Sequence, residues 1–164
     1  SSSRYNLQQR SGSNYSYYKM SAISLVTGGF DPLHSGHIEY FISAKELNPS
    51  VPLCVGINSD DWLKRKKGKY FLPFKERRII IRELKPVDLT IAFDDADNTA
   101  NNAITKCLQM YDKVIFCNGG DRGDGNVPEI ERFKDDHRVI FEWAVGGEDK
   151  MNSSSWILKQ YLDR

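Results

Sequence analysis

From Ser21 onward, short continuous apolar runs alternate with amphipathic stretches, and the alternation predicts the architecture. Runs rich in β-branched and aromatic residues predict strands at Ala22–Thr27, Leu53–Ile57, Leu89–Ala92, Val114–Cys117 and Val139–Trp143. Apolar positions at helical spacing predict helices at Ile38–Leu47, Phe74–Leu84, Thr99–Met110, Pro128–Phe133 and Ser155–Leu162. Strands that are apolar throughout are buried on both faces, and their alternation with helices implies an α/β fold with a parallel sheet covered on each side. In such sheets ligands bind beyond the carboxyl ends of the strands, where the strand order reverses. Gly28-Gly29, Asn58-Ser59-Asp60 and Asn118-Gly119-Gly120-Asp121 all follow predicted strands and are expected on that rim.

Composition narrows the class. A chain of 164 residues suits one domain with a sizeable core, and a net charge of +1 argues against a dedicated nucleic-acid binder. Cys54, Cys107 and Cys117 lie in apolar runs without CxxC spacing and read as buried thiols in a reducing compartment. No apolar run has the length of a membrane span and no signal-peptide pattern opens the chain, so the expected setting is the cytoplasm. Residues 1–19 are polar and nearly free of aliphatics, the composition of a flexible tail. Met20 is a candidate start, which would make that tail vector-derived; a nucleic-acid arm or a packing strap is the alternative. Residues 20–164 form the expected single domain.

The most informative stretch is Thr27-Gly28-Gly29-Phe30-Asp31-Pro32-Leu33-His34-Ser35-Gly36-His37, between the first strand and the first helix. Two glycines permit a sharp turn and close approach of a ligand to the backbone. His34 and His37 are three apart at a helix start, so both imidazoles share a face. The helix N-terminus adds free N–H groups and partial positive charge, an anion site. Two plainer readings compete: N-cap histidines satisfied by the backbone, or a metal site. Zinc normally takes three or four protein ligands, and no Cys or His lies nearby in sequence to complete a set.

On these residues the chain resembles the HxGH nucleotidyltransferase superfamily, and within it the cytidylyltransferase-like family, including the glycerol-3-phosphate cytidylyltransferases and the ADP-heptose-type adenylyltransferases. The resemblance runs from about Ala22 to the C-terminus. It implies a Rossmann-like three-layer sandwich with a five-stranded parallel sheet, and transfer of AMP or CMP from an NTP to a small phosphorylated acceptor, a sugar or polyol phosphate, with release of pyrophosphate. Mg²⁺ would accompany the NTP, with no resident metal, and a homodimer is implied.

The resemblance also assigns residues. His34 and His37 would contact the phosphates at the reacting centre, with Gly28, Gly29, Phe30 and Asp31 around them. The basic run Lys64–Lys69 matches a lysine-bearing flexible loop, with Lys64 and Lys67 as its functional lysines. Arg77, in the helix opened by Pro73, matches an arginine near the phosphates or acceptor; a surface arginine paired with Glu76 or Glu83 is the plainer reading. Gly119, Gly120 and Asp121 match a Gly-Gly-Asp loop around the nucleoside, which favours ATP over CTP. Ser153, Ser154 and Ser155 match hydroxyls that hold the triphosphate, although serines at a helix start are also ordinary caps. Glu148 stands where the glycerol-3-phosphate type has an arginine, with Lys150 as a possible substitute. Two rival functions remain: a non-catalytic nucleotide sensor on the same fold, and a nucleic-acid binder using the basic run. A fragment of a class I aminoacyl-tRNA synthetase, which shares the HxGH element, is disfavoured because one near-neutral domain offers no evident tRNA-binding region.

Overall fold

The computed structural model describes residues 20–119, 127–143, 145–146 and 154–163. Five strands form one parallel sheet: β1 (Met20–Gly28), β2 (Leu53–Ile57), β3 (Leu89–Ala92), β4 (Tyr111–Cys117) and β5 (Val139–Glu142). Their order is β3-β2-β1-β4-β5. β1 pairs in parallel with β2 from Ser24 opposite Leu53 to Gly28 opposite Ile57, and with β4 from Met20 opposite Tyr111 to Leu25 opposite Phe116. The chain thus moves outward from β1 in one direction, returns, and continues on the other side. The reversal falls between β1 and β4, so the crevice expected to take a ligand opens beyond Gly28 and Cys117.

The period-two alternation of the strands divides the core into two layers. Ile23 and Leu25 point to one face with Ile91, Ala103, Ile104, Cys107 and Phe133. Val26 points to the other with Phe41, Val55, Ile57 and Ile81. The first layer is covered by α4 (Asn101–Leu108) and α5 (Pro128–Phe133), the second by α1 (Ser35–Leu47) and α3 (Phe74–Arg82). This is the expected three-layer Rossmann-like sandwich. All three cysteines are buried free thiols, and desolvation pushes Cys117 up to about 12. Among the described residues no helix is long and apolar enough to cross a membrane.

One element departs from expectation. The basic run is not a loop: Lys64 to Lys67 are the last turn of a helix, α2 (Asp60–Lys67). Its signals are local. The Ser59 hydroxyl accepts from the Trp62 N–H, Asp60 and Asp61 complement the positive end of the dipole, and the four cations sit at the negative end. Gly68 closes the helix at φ 85°, where its N–H donates to the Lys64 carbonyl. The last helix, α6 (Ser154–Leu162), begins one residue earlier than predicted.

Candidate functional site

The site is built outward from the end of β1. The glycines there serve packing: a Cβ on Gly28 would lie 2.8 Å from the Phe30 ring, and one on Gly29 would lie 2.8 Å from Leu63 and 3.2 Å from Trp62. On the Cβ side of each glycine the neighbouring side chains fill the space. Phe30 has φ 53°, unusual for a bulky residue and a kind of strain that collects at functional sites. In that conformation its buried ring meets His37 and Phe41 edge-on, each at 5.1 Å between centroids. Asp31 is also buried, and its carboxylate accepts from the N–H groups of Phe71 (2.5 Å) and Leu72 (2.7 Å). It anchors the segment that follows α2.

His34 is the N-cap of α1, and it forms a reciprocal capping box with His37. The Nδ1 of His34 accepts from the Gly36 N–H at 3.0 Å, and the Nδ1 of His37 accepts from the His34 N–H at 3.2 Å. The rings stack with centroids 3.8 Å apart. An Nδ1 that accepts from the backbone leaves the proton on Nε2. Burial, then the neighbouring His34 and Lys67, hold His37 down to about 3; burial and Lys67 also lower His34. Both imidazoles are therefore neutral, with Nε2–H donors fixed by the helix start. The plain capping reading and the phosphate reading are compatible, because capping occupies one nitrogen and frees the other.

Lys67 belongs to this group and Lys64 does not. The Lys67 ammonium donates to the Asp31 carbonyl at 3.3 Å and lies close enough to both histidines to influence them. Burial depresses its own pKa, partly offset by Asp31. All three lysines are exposed at the surface, but Lys64 lies over the Tyr70 ring at 5.5 Å and Lys66 over Trp62 at 5.0 Å, away from the histidines.

Arg77 is fully buried and ion-pairs with Asp60, so the plainer alternative of a surface arginine paired with Glu76 or Glu83 does not hold. Its guanidinium donates to the carbonyls of Leu72 (2.9 Å), Gly29 (2.9 Å) and Asn58 (2.7 Å) and to the Asp60 carboxylate (2.7 Å). It braces the ends of β1 and β2. Ser154 is likewise committed: its hydroxyl donates to the Pro32 carbonyl at 2.7 Å, which docks the start of α6 beside the histidine segment. Ser155, next in α6, is exposed. Gly119 follows β4 at the same rim, where the Tyr40 hydroxyl donates to the Cys117 carbonyl at 2.6 Å. Gly120, Asp121 and Ser153 lie outside the described residues.

Sequence reasoning missed Asp95. This buried carboxylate, three residues beyond β3, accepts from the Asn58 amide (3.0 Å), the Ser59 N–H (2.8 Å) and the Ser59 hydroxyl (2.7 Å). Its position on the carboxyl rim of the sheet was the available signal. Among the described residues no group of three or more His, Cys, Asp or Glu is arranged to hold a metal.

The cytidylyltransferase-like family profile matches residues 25–153. Two bifunctional HldE proteins are similar: that of Helicobacter pylori strain HPAG1 is 33% identical over 122 residues, and that of Citrobacter koseri is 36% identical over 128. These alignments cover 73% and 77% of the chain but only 25% and 23% of the relatives, so the chain spans about a quarter of their length. The crystal structure of a lipopolysaccharide core biosynthesis protein from Thermoplasma volcanium GSS1 superposes with a TM-score of 0.54 at 26% identity, covering 75% of this chain and 93% of that one. Together with a β1–α1 junction that presents two neutral imidazole donors, these matches establish that the chain belongs to the cytidylyltransferase-like family of nucleotidyltransferases.

Proposed function

We propose that the chain transfers a nucleoside monophosphate, AMP in preference to CMP, from an NTP to the phosphate of a small sugar or polyol phosphate. An acceptor oxygen attacks the α-phosphorus in line, the bond from the α-phosphorus to the bridging α–β oxygen breaks, and pyrophosphate leaves. A phosphate monoester is already ionised at neutral pH, so no protein base is required, and catalysis is positioning and charge stabilisation. The observation that carries this reading is the stacked histidine pair: two Nε2–H donors locked by reciprocal capping, with Lys67 beside them. Neutral donors can follow charge as it develops on the phosphoryl oxygens without themselves changing protonation. The NTP enters as its magnesium complex, an ion that keeps phosphate and water ligands and needs few from protein. A saccharide acceptor is supported by the relative named for lipopolysaccharide core biosynthesis. The molecule is proposed to work as a cytoplasmic homodimer, which sedimentation of the purified chain checks.

Thermal shift with magnesium and ATP or CTP comes first, followed by pyrophosphate release across sugar phosphates and glycerol 3-phosphate. A nucleotide at a hundredfold its Kd adds about 2.7 kcal/mol. Loss of that shift in His34→Ala/His37→Ala, and a turnover reduced about 10²–10³-fold in His37→Ala, are expected. Nucleotide binding without pyrophosphate release from any acceptor would establish a sensor instead. Salt-sensitive nucleic-acid binding that NTP does not displace would move the function to the basic helix.

A further inference from the structure

We infer that Asp95 is a positioning residue of the nucleotidyl-transfer site, acting through α2 to hold Lys67 beside the histidine pair. The inference rests on the proposed reaction for its catalytic readout, but its geometry is independent of the acceptor. Asp95 sits at the end of the β3 rim and is 4% exposed. The three hydrogen bonds of its carboxylate come from the two residues that precede α2: the Asn58 side chain, the Ser59 N–H and the Ser59 hydroxyl. That hydroxyl in turn accepts from the Trp62 N–H and starts the helix. A second contact fixes the rotation of α2: Arg65 donates to the Asp95 carbonyl (2.8 Å) and to the side chain of Asn98 (3.1 Å), which has φ 63°.

The helix is thus held at its first turn by the Asp95 carboxylate and at its second by the Asp95 backbone. It is eight residues long, and Lys67 is its last. Tilting so short a rod at its capped end displaces its far end most. The ammonium of Lys67 is 3.3 Å from the Asp31 carbonyl, in the shell around His34 and His37, so a small tilt removes it from the site. Displacements of about 1 Å at a reacting centre can cost on the order of 10²-fold in rate.

The test is a double-mutant cycle on the full chain, with Asp95→Ala, Lys67→Ala and the double variant, read as pyrophosphate release. Asp95→Asn, which keeps the shape and an acceptor toward Ser59, is the conservative control. Asp95→Ala is expected to lower kcat about 10–100-fold, Asp95→Asn to recover most of it, and the double variant to match Lys67→Ala alone. A second readout needs no turnover: trace acetylation with acetic anhydride, quantified peptide by peptide. Lys67 differs from the neighbouring lysines in its contact with the Asp31 carbonyl, so its reactivity should change in Asp95→Ala while that of the other lysines does not. If Asp95→Ala does not fold, Ser59→Ala breaks the same link and should show a smaller shift of the same kind. Losses that multiply in the double variant, or unchanged Lys67 reactivity in folded Asp95→Ala, overturn the inference. Wild-type protein that releases no pyrophosphate, yet shows the Lys67 shift, would overturn the reaction and leave the positioning role standing.

Discussion

At the scale of single residues, the two histidines of the HxGH segment show how one side chain can serve a structural and a chemical need together. N-cap and N3 are the positions where serine and glutamate normally exchange hydrogen bonds with the backbone. Here His34 and His37 do so through Nδ1, and each Nε2 is left to donate. Burial of His37 has a measurable consequence. Its folded pKa of about 3 lies below the ordinary value of 6.5, so between those limits the unfolded chain binds a proton that the folded chain does not. Stability must then fall as the pH falls, by about 1.4 kcal/mol per pH unit from this group, and be flat above pH 6.5. His37→Gln keeps an acceptor at N3 without a titrating ring. Urea midpoints between pH 7 and 4.5 should therefore slope less steeply in that variant; equal slopes would show that His37 is protonated in the folded state.

At the scale of elements, α2 matters most, and its C-terminal stop can be tested directly. Gly68 has φ 85° and a Cβ placed there would meet nothing within 4 Å. Gly68→Ala therefore adds no clash, only the strain of a left-handed backbone, and should destabilise by about 1 kcal/mol, with Gly68→Asn costing less. Chemical denaturation measures both, and an unchanged midpoint in Gly68→Ala would mean that the helix does not end in that conformation. The strands were legible because continuous apolar runs of β-branched residues have few other uses, and their predicted ends shift by a few residues at most. α2 was not, because a run of lysines reads as charge before it reads as structure. Only Leu63 is buried among its residues, so the hydrophobic stripe that reveals most helices is absent, and its evidence lies in caps and dipole complementarity. The histidine cap was legible for the opposite reason: its partners are neighbours in sequence.

At the scale of the whole molecule, what the sequence concealed were contacts between distant segments. Asp95 reaches back 36 residues to Ser59, Ser154 reaches 122 to Pro32, and Arg77 gathers Gly29, Asn58 and Leu72. No periodicity encodes such partners, so the buried bonds of Arg77 could not be read from its place in the helix. The two roles predict different behaviour for Arg77→Lys. A lysine keeps the charge, so a residue that merely neutralised phosphate would lose nucleotide affinity modestly and stability hardly at all. The planar fork, however, spans three carbonyls and the Asp60 carboxylate in a buried position, a geometry an ammonium cannot reproduce. Breaking a buried ionic network by removing one partner costs about 3–5 kcal/mol, and Arg77→Lys should lose a substantial part of that. For a domain of this size each kcal/mol lowers the Tm by about 2–4 °C, so a drop of several degrees is expected without nucleotide. The stabilisation that ATP adds should persist in whatever fraction remains folded. A variant with wild-type Tm and no response to nucleotide would instead put the guanidinium on the phosphates, and would mean that the buried bonds of Arg77 do not stabilise the free protein.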